Sequence, residues 1–359
     1  MSFSFGFAGD DISDGEQQKP LHTKPAASSA PAAAASAFPV AGKPQLPPTL
    51  HDISSLLAQL PSKIAYGLLG VTLNDASQIQ IPRRELWDVR VQLMAEEEEV
   101  SGQAAEGLGK HDVKTGVYEG GFKSWESSVD LVKVLADKKS IETLTQTPMR
   151  VVELGCGTAL PSVALFQWAT SLPSERRHLS LVLADYNPTV LQLVTLPNFL
   201  LSWALNNRQH PALQDAFSIE GEVELGLDVI AAFQQFLHDS NISLSFVSGG
   251  WSQELVDLLY TLPTSQPTST LLLGAETIYS PFALQAFTET TFTILERERS
   301  TPGSEAGALI AAKRLYFGVG GSLDDFIDKA RGKGAIVDTV AEETEGVRRG
   351  VVQCILGPT

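Results

Sequence analysis

Cysteine is almost absent from this chain: Cys156 and Cys354 are the only two among 359 residues. Two cysteines close no disulfide framework and supply no cysteine-rich zinc site. One sits in a glycine turn and the other in the last apolar run, which reads as two unpaired thiols in a reducing compartment. Histidine is sparse as well. His22, His51, His111, His178, His210 and His238 are scattered without H-E-x-x-H or other paired spacing, so no metal site is expected. Basic residues are outnumbered, 26 Lys and Arg against 42 Asp and Glu, for a net charge of -16. That field repels nucleic acid and attracts a basic protein, although acidity also serves solubility alone. No apolar run approaches the length that crosses a bilayer, and Met1 to Asp14 carries acid where a secretory leader carries base. A soluble intracellular protein is expected.

What is present is apolar bulk: 43% hydrophobic residues over this length suffice for one large core or two modest ones. Residues from about Gln17 to Pro48 are dominated by Ala, Pro and Ser and read as a disordered linker. Ahead of it, Phe3-Ser4-Phe5-Gly6-Phe7 is an aromatic cluster on a polar tail, suited to docking or to folding back. From Pro82 to Glu99, Leu86, Val89, Leu93 and Met94 make a helical stripe started by Pro82 and continued by the acidic run Glu96 to Glu99. The domains expected are therefore a tail and linker over 1–50, an extension over 51–148 that packs on the core and closes the site, and a catalytic domain over 149–359.

The most informative stretch is Val151-Val152-Glu153-Leu154-Gly155-Cys156-Gly157-Thr158-Ala159-Leu160-Pro161, an apolar strand running into a glycine turn and a helix. Such a unit places a nucleotide against the turn and the helix N-terminus. Dinucleotide folds carry a third glycine at the last position of G-x-G-x-x-G, where this chain has Leu160, so a pyrophosphate is disfavoured. After Arg150 strands and helices alternate. Strands are expected at Val151 to Leu154, Leu179 to Ala184, Leu244 to Val247, Thr270 to Gly274 and Ala308 to Phe317. Two last apolar runs, Ala335 to Val340 and Val351 to Leu356, make a closing hairpin, and a helix is inserted between Asn207 and Asn241. The fold class is α/β, a doubly wound sheet whose ligand lies beyond the carboxyl ends of its strands.

Polar clusters fall at those ends. Asp185 is placed to accept hydrogen bonds from two ribose hydroxyls, or to cap the next helix. Tyr186 and Asn187 follow it, one suited to packing on ribose or adenine and the other to capping the helix or touching the ligand. Gly249-Gly250-Trp251 offers an aromatic face for adenine with glycines that leave room for it, against the plainer reading of Trp251 as core. Glu276-Thr277-Ile278-Tyr279 puts a carboxylate and a phenol near an incoming acceptor, unless Glu276 caps the helix that begins near Pro281.

The Glu153-to-Leu160 turn resembles the first motif of S-adenosylmethionine-dependent methyltransferases. With Met1-Ser2-Phe3-Ser4-Phe5-Gly6-Phe7, Arg83-Arg84-Glu85-Leu86-Trp87-Asp88-Val89-Arg90, Tyr118-Glu119-Gly120-Gly121-Phe122-Lys123-Ser124-Trp125-Glu126-Ser127-Ser128 and Glu276-Thr277-Ile278-Tyr279, the chain resembles the fungal and animal protein-histidine N-methyltransferase family. The resemblance implies a seven-stranded Rossmann-like methyltransferase sheet with an N-terminal helical extension, and S-adenosyl-L-methionine as cofactor. It also implies a monomer, acting in cytoplasm and nucleus on one histidine of a basic partner, the large-subunit ribosomal protein L3. Cofactor contacts are implied at Ser124, Trp125, Glu126, Ser127, Ser128, Gly155, Gly157, Asp185, Tyr186, Asn187, Gly249, Gly250, Trp251 and Ala275, with Glu276 and Tyr279 orienting the acceptor. Ser127 stands where relatives often have Cys, and Ala275 where Ser is common. The rival readings are a lysine methyltransferase acting on a translation factor, a nucleic-acid methyltransferase, and a ribosome-assembly factor that only keeps the fold.

Overall fold

The computed structural model describes residues 42, 44–100, 121–137, 147–173, 178–263, 269–316 and 320–357, with backbone alone for 95–100. The Phe3 to Phe7 cluster, most of the Ala/Pro stretch, Tyr118 to Gly120 and the side chains of Glu96 to Glu99 lie outside the described residues.

In chain order the elements are β1 (Thr49–His51), α1 (Ile53–Ala58), β2 (Lys63–Thr72), β3 (Gln78–Arg84), α2 (Leu86–Val100), α3 (Glu126–Asp137) and β4 (Met149–Leu154). There follow α4 (Leu160–Thr170), β5 (Leu179–Asp185), α5 (Pro188–Asn206), β6 (Glu222–Glu224), α6 (Leu227–Asp239) and β7 (Ile242–Ser248). The last are α7 (Gln253–Leu259), β8 (Ser269–Ala275), α8 (Pro281–Arg299), β9 (Glu305–Lys313), α9 (Leu323–Gly332), β10 (Ala335–Glu343) and β11 (Arg349–Leu356). The main sheet runs β1-β7-β5-β4-β8-β9-β11-β10. From β7 to β9 neighbours are parallel, and β11 lies antiparallel between β9 and β10, pairing with β10 as the expected closing hairpin. The chain winds outward from β4 through β5 to β7, then crosses back to β8, so the order reverses beside β4, where open α/β sheets bind ligands.

Successive strand residues feed two cores because side chains alternate across a sheet. Val151, Leu181, Leu183 and Phe246 enter one apolar cluster, whereas Val152, Leu154, Val182 and Val247 enter the other. Every residue of β4 is buried, Arg150 and Glu153 among them, so the strand reads as apolar apart from those two charges.

Three local features depart from the expectations. Pro82 does not start a helix: it lies in β3, opposite Leu68, and the helix begins at Leu86. In the three-stranded sheet β3-β2-β6, β3 is an edge, where a residue without an N–H is tolerated, so the extension is part hairpin rather than all helix. The main sheet also has an eighth strand. It is formed just after the stretch that composition assigns to the linker, with Thr49, Leu50 and His51 paired to Ser248, Val247 and Phe246 of β7 along the sheet edge. Finally, α5 is 19 residues long and apolar enough to cross a bilayer by length and composition, a run that its scattered Asn, Gln, Ser and Thr disguise in the sequence. Its most apolar window is 78% buried inside the protein.

Helix α5 also carries Pro197, which donates no bond to the carbonyl of Leu193. The helix widens into a π-turn over Leu191–Thr195, and the Leu193 carbonyl accepts instead from the buried Arg84 guanidinium at 3.1 Å. Arg84 is further held by Asp88 at 2.7 Å, and its backbone N–H donates to Asn198 Oδ1 at 2.8 Å. One buried arginine thus ties the hairpin to the helix that flanks the site.

Candidate active site

The segments following β4, β5, β7 and β8 line one cavity of about 300 Å³, at the small end of ordinary ligand pockets. Its floor is the turn after β4. Gly155 has φ +68°, and a Cβ there would lie 2.6 Å from Thr277 Cγ2; Gly157 has φ +50°, and a Cβ would lie 3.1 Å from the Gly121 carbonyl. Both glycines are therefore required by backbone conformation and by close approach. The Gly155 and Cys156 N–H groups donate to the Ala184 carbonyl at 2.7 and 2.9 Å, locking the turn onto β5.

Asp185 lies on the cavity wall, but part of its work is local. One carboxylate oxygen accepts from the Gly157 N–H at 2.9 Å and the other from the Asn187 N–H at 3.1 Å. Burial pushes its pKa up, and these two bonds oppose that rise. The helix cap is Asn187, whose side chain accepts from the Thr189 N–H at 3.0 Å, so Asp185 is not the cap. Tyr186 is also on the wall, and its hydroxyl accepts from the Leu46 N–H at 3.2 Å.

Trp251 lines the cavity and meets Phe287 in a T-shaped contact, ring centroids 5.5 Å apart. The room that its preceding glycines leave is used by the chain itself. A Cβ on Gly249 would lie 2.6 Å from the Pro47 carbonyl oxygen and 2.7 Å from Pro48 Cα. Gly249 still lines the cavity, whereas Gly250 does not; its N–H donates to the Leu46 carbonyl at 2.9 Å.

On the approach helix the implied contacts divide. Trp125 and Ser128 line the cavity; Ser124, Glu126 and Ser127 do not. Ser124 Oγ bonds to Thr158 Oγ1 at 3.1 Å and so touches the wall through its partner. Glu126, at the first helical residue, is exposed. Ser127 is fully buried and donates to the Glu276 carboxylate. Ala275, Glu276 and Tyr279 all line the cavity.

Glu276 adopts φ +57°, a conformation costly for a residue with a side chain, at the end of β8. It does not cap α8, whose cap is Ser280 accepting from the Ala283 N–H at 3.1 Å. Its second oxygen accepts from the Tyr316 hydroxyl at 2.6 Å. Burial and the Glu276 charge push that phenol far above its ordinary pKa, so it remains a donor. Lys313 completes this end, its Nζ 5.2 Å from the Trp125 ring centroid and 5.7 Å from that of Tyr316. Neither Lys313 nor Tyr316 is among the residues expected from sequence. The expected fifth strand runs to Phe317 and so encloses both; the observed strand ends at Lys313, which places them at its carboxyl end beside the other clusters. Gln45, also on the wall, leaves no such signal in an Ala/Pro-rich stretch.

Beneath the turn, Glu153 accepts from the Ser162 N–H at 3.2 Å and from its hydroxyl, and burial pushes its pKa up to about 8. The consequence for stability has a definite sign. Below about pH 4.5, its ordinary value, folded and unfolded chains both carry the proton; between there and about 8 only the folded chain does, so stability falls as pH rises. Glu153→Gln keeps the shape without ionising. Its melting temperature relative to the wild type is expected to rise by several degrees between about pH 5 and pH 8, as followed by circular dichroism. A difference independent of pH would contradict the buried proton.

No protein-family model matches the chain. It is 37% identical over 258 residues to "Histidine protein methyltransferase 1" of Saccharomyces cerevisiae, spanning 68% of this chain and 67% of that protein. It is 32% identical over 309 residues to the protein of the same name from Schizosaccharomyces pombe, spanning 84% and 83%. The Bos taurus "Histidine protein methyltransferase 1 homolog" is 27% identical over 215 residues, or 60% of this chain and 49% of that one. Among solved structures, magnesium protoporphyrin IX methyltransferase (ChlM) from Synechocystis with bound SAM overlaps 64% of this chain and 79% of its own at 10% identity and a TM-score of 0.36. The two yeast identities extend over most of both partners, and on that ground the chain belongs to the histidine protein methyltransferase 1 family.

Proposed function

We propose that the protein transfers a methyl group from S-adenosylmethionine to an imidazole nitrogen of a histidine in a basic protein, with the large-subunit ribosomal protein L3 as the candidate. One observation carries this reading: a single cavity holds Asp185 and the Gly155–Gly157 turn on one side of β4 and the doubly anchored Glu276 carboxylate on the other. The names of the yeast relatives support histidine as acceptor. The formal charge of -16 suits a basic partner, and a ribosomal substrate suits a monomer working in cytoplasm and nucleus.

The residues present fit the cofactor. The glycine turn admits a close backbone approach, Asp185 has lone pairs left for two ribose hydroxyls, and Trp251 would offer an aromatic surface to the base. When bound, S-adenosylmethionine supplies an electrophilic methyl on a sulfonium sulfur. The protein's task is then alignment, since in-line displacement needs donor and nucleophile held at near-contact distance. Glu276 accepts the N–H of a neutral imidazole and so presents the opposite nitrogen's lone pair to the methyl group. The same carboxylate would stabilise the positive charge that the ring takes up on methylation, until the ring N–H proton leaves to water. Tyr316 and Ser127 keep Glu276 in its strained backbone position.

The test is incubation with methyl-labelled S-adenosylmethionine, purified ribosomal proteins and ribosomal RNA, followed by fragment mass spectrometry. Label on a histidine of a basic ribosomal protein is expected. Label on lysine or RNA would overturn the acceptor, and absence of any transfer would overturn the enzymatic reading.

A further inference from the structure

Residues 45–48 lie beyond the ends of β5 and β7 and lead into β1, and several contacts hold them there. The Leu46 N–H donates to the Tyr186 hydroxyl at 3.2 Å, and the Leu46 carbonyl accepts from the Gly250 N–H at 2.9 Å. Pro47 and Pro48 fill the space over Gly249 that any side chain there would occupy. Beyond them β1 pairs with β7, and His51 Nε2 and Ser248 Oγ lie 2.7 Å apart. On this run Gln45 reaches the cavity wall, its Cβ 3.0 Å from where a Cβ on Gly250 would stand.

We propose that this segment is a strap over the nucleoside half of the cavity and that Gln45 is a cofactor-binding residue, its carboxamide pairing with the edge of adenine. This rests on the reading of the cavity as an S-adenosylmethionine site, in which Asp185 takes the ribose and Trp251 the base. The chemistry matches: a primary amide offers one acceptor and two donors in a plane, and adenine offers an amino donor beside a ring-nitrogen acceptor. The anchors at Leu46 and along β1, just C-terminal to Gln45, hold its backbone at the cavity wall and so limit the freedom lost on binding. The strap also covers the route along the β7 edge, so it sets how fast the cofactor leaves.

The test uses the full-length protein, with S-adenosylhomocysteine and the truncated nucleoside methylthioadenosine as probes, binding measured by calorimetry and dissociation by stopped flow. Gln45→Ala is expected to weaken both probes by the same factor, about 3- to 10-fold, with the melting temperature unchanged. Tyr186→Phe, which removes the acceptor for the Leu46 N–H, is expected to speed dissociation of both by a similar factor. The double variant should lose less than the product of the two, since both act through one strap. A loss confined to S-adenosylhomocysteine would put Gln45 at the amino-acid half and overturn the adenine assignment. Wild-type binding matched by both variants would overturn the strap. If the wild type binds neither probe, the cofactor reading itself fails, a result distinct from the other two.

Discussion

Replacing Asp185 with alanine is expected to weaken binding of S-adenosylmethionine by about 10- to 100-fold, because the ribose hydroxyls lose a charged acceptor. The same carboxylate holds the Gly157 and Asn187 N–H groups at 2.9 and 3.1 Å, so the variant also loosens the turn on which the cofactor rests. Asp185→Asn alters both less severely. Its carboxamide oxygen still accepts one of those bonds, but its amino group faces a second N–H donor, so local order suffers while the side chain keeps its size. Calorimetric titration with S-adenosylhomocysteine measures the loss, and thermal melts report the cost to the fold. An affinity unchanged in the alanine variant would remove Asp185 from the site.

The second large effect is expected from Glu276→Gln. The turnover number should fall by about 100-fold while cofactor affinity changes by less than about threefold, because the carboxylate's charge matters as the acceptor ring becomes cationic and little before. Gln has the shape to keep accepting from one hydroxyl, so the strained loop stays in place. Tyr316→Phe and Ser127→Ala, which leave the charge but remove one anchor each, should cost about 3- to 10-fold in turnover. Single-turnover kinetics beside binding measurements distinguishes these. If Glu276→Gln reduced cofactor binding and turnover equally, Glu276 would be an anchor for its loop and not an acceptor ligand.

Much of the fold was legible because parallel strands buried on both faces write themselves as apolar runs. Met149 to Leu154, Leu179 to Asp185 and Ser269 to Ala275 begin and end within two residues of the expected positions. The strand-end rule then brought Gly155, Asp185, Trp251 and Glu276 to one cavity without any knowledge of contacts. Where the reading failed, pattern and environment parted. Pro82 carries a helix-start signal, yet it and its neighbours Ile79, Ile81, Arg83 and Arg84 pair with β2 as an edge strand. Gly249 and Gly250 signal close approach correctly, but a sequence does not say what approaches, and here it is Pro47 and Pro48 as well as the cavity.

The sequence by itself determined the seven main-sheet strands from β4 onward and the turn that suits a nucleoside without a third glycine, because these depend on backbone conformation and on side chains alternating about a local axis. Only the tertiary structure decided which groups share that turn's cavity from afar. Ser127 and Tyr316 meet Glu276 across separations of 149 and 40 residues, and Leu46 meets Tyr186 across 140. Such meetings follow from how helices and loops pack on the sheet, and packing is a property of the whole chain that no local spacing encodes.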